Sequence, residues 1–219
     1  MIQNLVRCPW CSITDNLYID YHDHEWGVPV HADRVLFEFL ILEWAQAGLS
    51  WITVLRKREQ YRHHFYDWDI EKISKMTDEA LEKILLDPGI IRNRLKIYSV
   101  RKNAIAALQI QQEFGSLDAY FWNSGFCHRE VWSDPEKQKE VPCNDWIASP
   151  ARKDWYSQTF PIINHPHTMS DFIVESDISQ KISKDLKKRG MSFVGSTIIY
   201  AYMQATGMVD DHIDGCWKK

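Results

Sequence analysis

The residues in this sequence best suited to chemistry are a glutamate on an apolar helical face and a set of cysteines and histidines near the two ends. Glu43 lies three residues after Leu40 and seven after Leu36, so on a helix its carboxylate turns toward the interior. A buried carboxylate is costly without a partner. Either an internal arginine or backbone group satisfies it, or it lines a pocket and awaits a ligand that donates hydrogen bonds. Trp10, Tyr18, Tyr21 and Trp51 are rings able to wall such a pocket, although any one aromatic taken singly is more often core than site.

Cys8, His22, His212 and Cys216 supply two thiolates and two imidazoles. In tetrahedral array this is the donor set of a closed, structural zinc site with no open position for catalysis. His212 and Cys216 are four apart, a spacing at which one helical turn can hold one metal. The chain has five cysteines, Cys8, Cys11, Cys127, Cys143 and Cys216, and an odd number in a reducing compartment favours metal ligation or packing over a disulfide framework. Three alternatives stay open. The four residues can be reduced buried cysteines and surface histidines. Cys8-Pro9-Trp10-Cys11 has the form of a redox pair, but without a preceding strand and a strand–helix alternation after it. Cys127, His128 and Cys143 can form a second metal group at irregular spacing.

A third constellation is Asp87-Pro88-Gly89-Ile90-Ile91, with Arg92 and Arg94 directly after it. A glycine-bearing turn leading into a helix start presents free backbone N–H groups, which together with arginines hold a phosphate without reading sequence. The same pattern also describes an ordinary helix hairpin with a solvated basic face.

These groups must be positioned by a mostly helical chain. With 219 residues and 45% hydrophobic content it can bury a substantial core as one compact domain or two small lobes. The net charge of −4 excludes coating of nucleic acid by bulk electrostatics but not a local basic patch. The N-terminus lacks the marks of a signal peptide and no apolar run reaches the roughly 18 residues of a membrane span, so the expected location is cytoplasmic. Asp33 is the expected N-cap of a helix ending at Gly48. Ser50 is expected to cap a second helix reaching about Asp67, with Arg56, Lys57, Arg58 and Arg62 outward. A short helix follows at about Ile70 to Lys75, another from Thr77 to about Leu86, and a long one from about Arg92 to Glu113. Ser176 to Arg189 and Val194 to Ala205 read as two more, ending at Gly190 and Gly207. From Asn123 to His167 no period is visible, and Trp132, Trp146 and Trp155 are the residues that could order it.

Arg7-Cys8-Pro9-Trp10, Tyr21-His22-Asp23-His24-Glu25-Trp26-Gly27, Leu42-Glu43 with Gln46-Ala47-Gly48-Leu49-Ser50-Trp51, Gly89-Ile90-Ile91-Arg92, Phe193-Val194-Gly195-Ser196-Thr197 and Asp211-His212 with Gly215-Cys216 occur in this order over nearly the whole chain. Together they resemble the DNA-3-methyladenine glycosylase I family of the helix-hairpin-helix superfamily. The resemblance implies an all-α fold, one domain over residues 1–219 with an irregular insertion at about 123–160, and a zinc ion held by Cys8, His22, His212 and Cys216 that joins the two termini. It implies hydrolysis of the N-glycosidic bond of 3-methyladenine in alkylated double-stranded DNA, the first step of base-excision repair. Glu43 is then the catalytic residue, and Tyr21 and Trp51 contact the excised base with Trp10 and Tyr18 nearby. Gly48 and Leu49 enter the DNA at the lesion, and Gly89 and Arg92 bind its backbone.

An absence sharpens the expected reaction. Superfamily members that also nick the strand carry a lysine in the hairpin, and most carry an aspartate on the following helix. Here the hairpin position is Asn93 and no acidic residue lies between Gly89 and Gln112, which resembles a monofunctional hydrolase using water and no Schiff base. Three features depart from the family pattern. Trp44 stands where a small residue is usual, and either narrows the pocket or packs outside it. Cys11 adds a thiol beside a zinc ligand, and the insertion is longer than the usual connection. The hairpin and metal alone also fit a damage-binding module without excision or a helical zinc scaffold for protein partners; the Glu43, Tyr21 and Trp51 set favours the enzyme.

Overall fold

Helix α2 (Asp33–Ala45) is apolar almost all round, and every residue from Leu36 to Ala45 is buried. A helix without a polar face must be surrounded, and the other elements are laid around it. The computed structural model describes residues 5–46, 48–123 and 161–219. Most of the insertion, with Cys127, His128 and Cys143, lies outside the described residues.

Before α2 comes α1 (Asn16–His24), a helix that hydrophobic periodicity does not reveal because its buried residues are Tyr21, His22 and Asp23. After it the chain forms α3 (Trp51–Leu55), α4 (Arg58–His64), α5 (Ile70–Ser74) and α6 (Asp78–Ile84). The long helix α7 (Arg94–Phe114) packs on α5 and touches α2, and α8 (Leu117–Asn123) packs on both α2 and α7. Two further helices, α9 (Asp177–Lys188) and α10 (Ser196–Ala205), pair with each other, and α10 lies against α2. Strands β1 (Ile162–Ile163) and β2 (Val209–Asp210) form a short parallel pair with Ile162 opposite Val209. The two termini are joined directly by the Trp217 N–H donating to the Val6 carbonyl at 2.9 Å. No described helix is long and apolar enough to cross a membrane.

Several boundaries differ from expectation for identifiable reasons. Asp33 is not the N-cap of α2; Ala32 holds that position. The Asp33 carboxylate instead accepts the backbone N–H groups of Leu117 and Asp118 at 3.0 and 3.1 Å, satisfying the orphan donors of α8 from a distant segment. Ser50 precedes α3 without a side-chain capping bond, its hydroxyl lying 2.8 Å from that of Thr53. The single helix expected from Ser50 to Asp67 is two helices broken at Arg56 and Lys57, followed by a left-handed turn in which Tyr66, Asp67 and Trp68 have φ of 52°, 51° and 61°. The break turns Arg58 inward. It is 8% exposed rather than solvated, donating to Glu38 at 2.7 Å and to Glu25 at 2.6 Å, while Arg62 donates to Glu38 at 2.8 Å.

Two other helices begin on side-chain caps. Thr77 accepts from the Ala80 N–H, and Ser176 and Ser179 form a reciprocal capping box.

Candidate active site and metal centre

Helical phase brings Glu43 inward as expected, and no described residue compensates its charge. The carboxyl is 4% exposed, no hydrogen bond or ion pair holds it among the described residues, and burial alone pushes its pKa up to about 8. Tyr21 and Tyr18 lie near it, and rings from two further segments pack on Tyr21. Tyr21 on α1 and Trp51 on α3 have ring centres 5.3 Å apart, and Trp10 lies 5.4 Å from Tyr18 and 6.3 Å from Tyr21. The Tyr21 hydroxyl is held well above its ordinary pKa, first by burial and then by Glu43; burial, Cys11 and Glu43 raise Tyr18 in the same direction. Both tyrosines are therefore within electrostatic reach of the carboxyl. The Trp51 indole N–H is buried without an acceptor among the described residues. The four rings and the carboxyl form an aromatic cluster with one titratable acid and a free indole donor, a chemistry suited to a flat aromatic ligand that carries positive charge and donors.

Trp44 does not enter this recess. It is fully buried and stacks on Phe193, with centres 5.3 Å apart and planes at 22°, and none of its ring contacts is to Trp10, Tyr18, Tyr21 or Trp51. Adjacent residues on a helix point about 100° apart, so Trp44 leaves on a different side of α2 from Glu43.

Against the back of Trp10 lies the cysteine–histidine group. Cys8, His22, His212 and Cys216 are all buried, and one ligating atom from each lies within 4.8 Å of the others. The Cys216 sulfur is 3.5 Å from His22 Nε2 and 3.6 Å from His212 Nδ1, and the Cys8 sulfur is 3.6 Å from the same Nδ1. A tetrahedral ion with bonds of about 2.3 Å to sulfur and about 2.0–2.1 Å to nitrogen requires nitrogen–sulfur separations of about 3.5–3.6 Å, so the group fits a metal. Burial pushes the Cys8 thiol up to about 12 and holds the His212 imidazole down at about 4. Neutral imidazoles are ready ligands, whereas the buried thiols become ligands only with a cation to offset their charge.

Sequence reasoning missed what orients this group. His22 Nδ1 lies 2.8 Å from Asp23, which is in turn gripped by Arg7 at 2.6 and 2.8 Å and by the Trp217 indole at 3.1 Å. Such a carboxylate fixes the imidazole tautomer and ring plane. The available signal was a charged residue beside each of two ligands, Arg7 next to Cys8 and Asp23 next to His22. Gly27, with φ of 76°, has no room for a side chain because a Cβ there would lie 2.9 Å from His212 Nε2. His212 and Cys216 do not share a helical turn; residues 211–219 are irregular, with a Cys216 N–H to Ile213 carbonyl turn. Tyr21 and His22 are neighbours on α1, and Trp10 follows Cys8 by two residues, so two of the four metal-group residues share their segments with rings of the aromatic cluster.

The expected DNA-contacting residues lie at the surface. Gly48 has φ of 81°, a left-handed turn that favours glycine, and it leaves Leu49 exposed with its N–H on the Gln46 carbonyl at 2.6 Å. Arg92 is exposed and makes no ion pair among the described residues. Gly89 does not offer a free N–H, because the Asp87 carboxylate takes it at 2.6 Å. The same carboxylate meets His64 at 2.6 Å, and Lys57 donates to the Pro88 carbonyl at 2.7 Å, so α4 braces the hairpin from behind.

Comparison with known proteins matches the chain to the methyladenine glycosylase family over residues 10–160 and 151–219. It is 42% identical over 210 residues to DNA-3-methyladenine glycosylase 1 of Escherichia coli (strain K12), covering 96% of this chain and 95% of that protein. Among solved structures it superposes on a 3-methyladenine DNA glycosylase I with a TM-score of 0.78 at 41% identity, over 97% of this chain and 98% of the other. A structure of 3-methyladenine recognition by the Staphylococcus aureus glycosylase matches with a TM-score of 0.78 at 29% identity, covering 98% of each chain.

Proposed function

Because the chain belongs to the methyladenine glycosylase family, we propose that it releases 3-methyladenine from alkylated double-stranded DNA by hydrolysing the N-glycosidic bond of a base flipped out of the duplex. The observation that carries this reading is Glu43, a buried carboxyl with no partner among the described residues and with aromatic rings around it. Such a group costs stability and is understandable as a site awaiting a cation.

Methylation at N3 makes the adenine cationic. When the bond from C1′ to N9 breaks, the electron pair stays with the base, which leaves neutral and needs no proton from the protein. Water adds to C1′ and its proton passes to solvent. Tyr21, Trp51, Trp10 and Tyr18 hold the base by their faces, and Glu43 accepts a hydrogen bond from the exocyclic amine. A positive charge about 4–6 Å away lowers a carboxyl pKa, so entry of the cationic base draws the raised pKa of Glu43 back down and favours its ionised form. Leu49 fills the gap left in the duplex, while Gly48 allows its turn and Gly89 and Arg92 lie along the backbone. With Asn93 in place of a hairpin lysine the reaction stops at base release. Cys8, His22, His212 and Cys216 would hold a zinc ion as a closed structural site, which would fix the segments that carry Trp10 and Tyr21. The protein works in the cytoplasm, where it meets its DNA.

Incubating methylated duplex DNA with the protein and separating the freed bases by chromatography tests the reaction. Release of 3-methyladenine without strand nicking is expected, and a Glu43→Gln variant as fast as wild type would remove Glu43 from the mechanism. Metal analysis should return one zinc per chain, lost only when the protein is unfolded because the ligands tie the two ends together. Folded, active protein without metal would sink the zinc assignment.

A further inference from the structure

Lys96 is buried in the first turn of α7, at 6% exposure, and its Nζ donates to the Ala45 carbonyl at 2.9 Å. Ala45 is the last residue of α2, and the final carbonyls of a helix have no partner within it. The N–H that would have reached this one belongs to Leu49, and it turns to Gln46 instead. An ammonium at the negative end of a helix makes a strong, charge-assisted bond. An apolar side chain would fill the same space without the desolvation that lowers the pKa of Lys96. What the amine adds is geometry.

Ala45 immediately precedes the turn that exposes Leu49. The backbone N–H of Lys96 is bonded to the Asn93 side chain at 3.1 Å, at the point where the Gly89–Arg92 hairpin enters α7. One residue is thus tied to the hairpin by its backbone and to the end of α2 by its side chain. We propose that Lys96 is a positioning residue that sets the spacing between the Leu49 turn and the hairpin, so that the wedge enters the duplex at the nucleotide whose neighbouring phosphates the hairpin holds. The inference rests on the function proposed above and adds a residue outside the base pocket to it.

The test compares wild type with Lys96→Met and Lys96→Arg on two readings, single-turnover release of 3-methyladenine from methylated duplex and binding of free 3-methyladenine followed by tryptophan fluorescence. Lys96→Met should slow release from duplex by about tenfold or more, the factor equivalent to 1.4 kcal/mol, while the Kd for the free base stays within about twofold. Lys96→Arg, which keeps a charged donor, should recover most of the rate. Unchanged release by Lys96→Met overturns the proposal, as does an equal loss in both readings, which marks a purely structural role. If Lys96→Met does not fold, Lys96→Gln and Lys96→Arg are read by the same two criteria. Wild-type protein that releases no base defeats the proposed function itself and is distinguished by that control.

Discussion

Glu38 and Glu43 lie on the same helix and are almost equally removed from water, at 2% and 4% exposure, yet their chemistry is opposite. Glu38 receives Arg58 at 2.7 Å and Arg62 at 2.8 Å. Burial alone would raise its pKa, and the two guanidinium groups outweigh it and bring the carboxyl below its ordinary value. Glu43 has burial without compensation and is raised to about 8. The fold therefore uses Glu38 to join α2 to α4 and leaves Glu43 without a partner among the described residues, near Tyr21 and Tyr18. Burial by itself does not make an acid a candidate for function; burial without a described partner does.

The largest expected effect comes from turning Glu38 into a residue with only one guanidinium partner. Arg58→Met removes the better-buried one, and breaking a buried pair from one side typically costs about 3–5 kcal/mol. Urea unfolding should show a loss of that order, with little change in base release per folded molecule. A loss below about 1 kcal/mol, the range of an exposed pair, would erase the distinction between the two glutamates.

Next in size, and opposite in kind, is Glu43→Gln. It should slow 3-methyladenine release by about 100-fold or more, as losing a charge-stabilising group in a dry site does, while leaving urea stability equal or higher. A variant that is both slow and unstable would make Glu43 structural, like Glu38.

The smallest effect is the most diagnostic, because the two carboxyls should have pH dependences of opposite sign. The raised pKa of Glu43 contributes stability that is complete below about 4.3, the pKa of an unperturbed glutamate, and is lost as pH rises through about 8. The lowered pKa of Glu38 contributes stability present above about 4.3 and lost as pH falls through its folded value. Relative to wild type, Glu43→Gln should therefore gain in unfolding free energy between pH 5 and 8. Glu38→Gln should be closest to wild type in acid and fall behind as pH rises toward neutrality. Parallel curves for the two variants would show that the carboxyls share one environment.

How much of this was legible beforehand depends on where each partner lies in the chain. Glu43 was read correctly as inward-facing because its helical phase is set by residues three and seven positions away. Residue type offered the Cys8, His22, His212 and Cys216 group as one arrangement among several, and the family resemblance selected it; the fold brings the four together. Arg58 reads as solvated in the sequence because its partners Glu38 and Glu25 are 20 and 33 residues distant and the two residues before it, Arg56 and Lys57, are basic. Asp33 looked like the cap of its own helix and serves α8, 84 residues on. Helix α1 escaped notice because the face it buries carries His22 and Asp23, and those become compatible with an interior only when Arg7, Trp217 and the other metal-binding residues arrive.

The sequence by itself determined the helical character of the chain, the inward direction of Glu43, the glycine that turns the chain before Leu49 and the donor set for a metal, because all of these follow from local spacing or from side-chain chemistry. Only the tertiary structure decided that Glu43 has no partner among the described residues while Glu38 has two, that Trp44 stacks on Phe193 rather than on Tyr21 or Trp51, and that Lys96 reaches the end of α2. Each of these depends on a packing partner from a distant segment, and burial sets the value of a charge only once that partner is in place or missing.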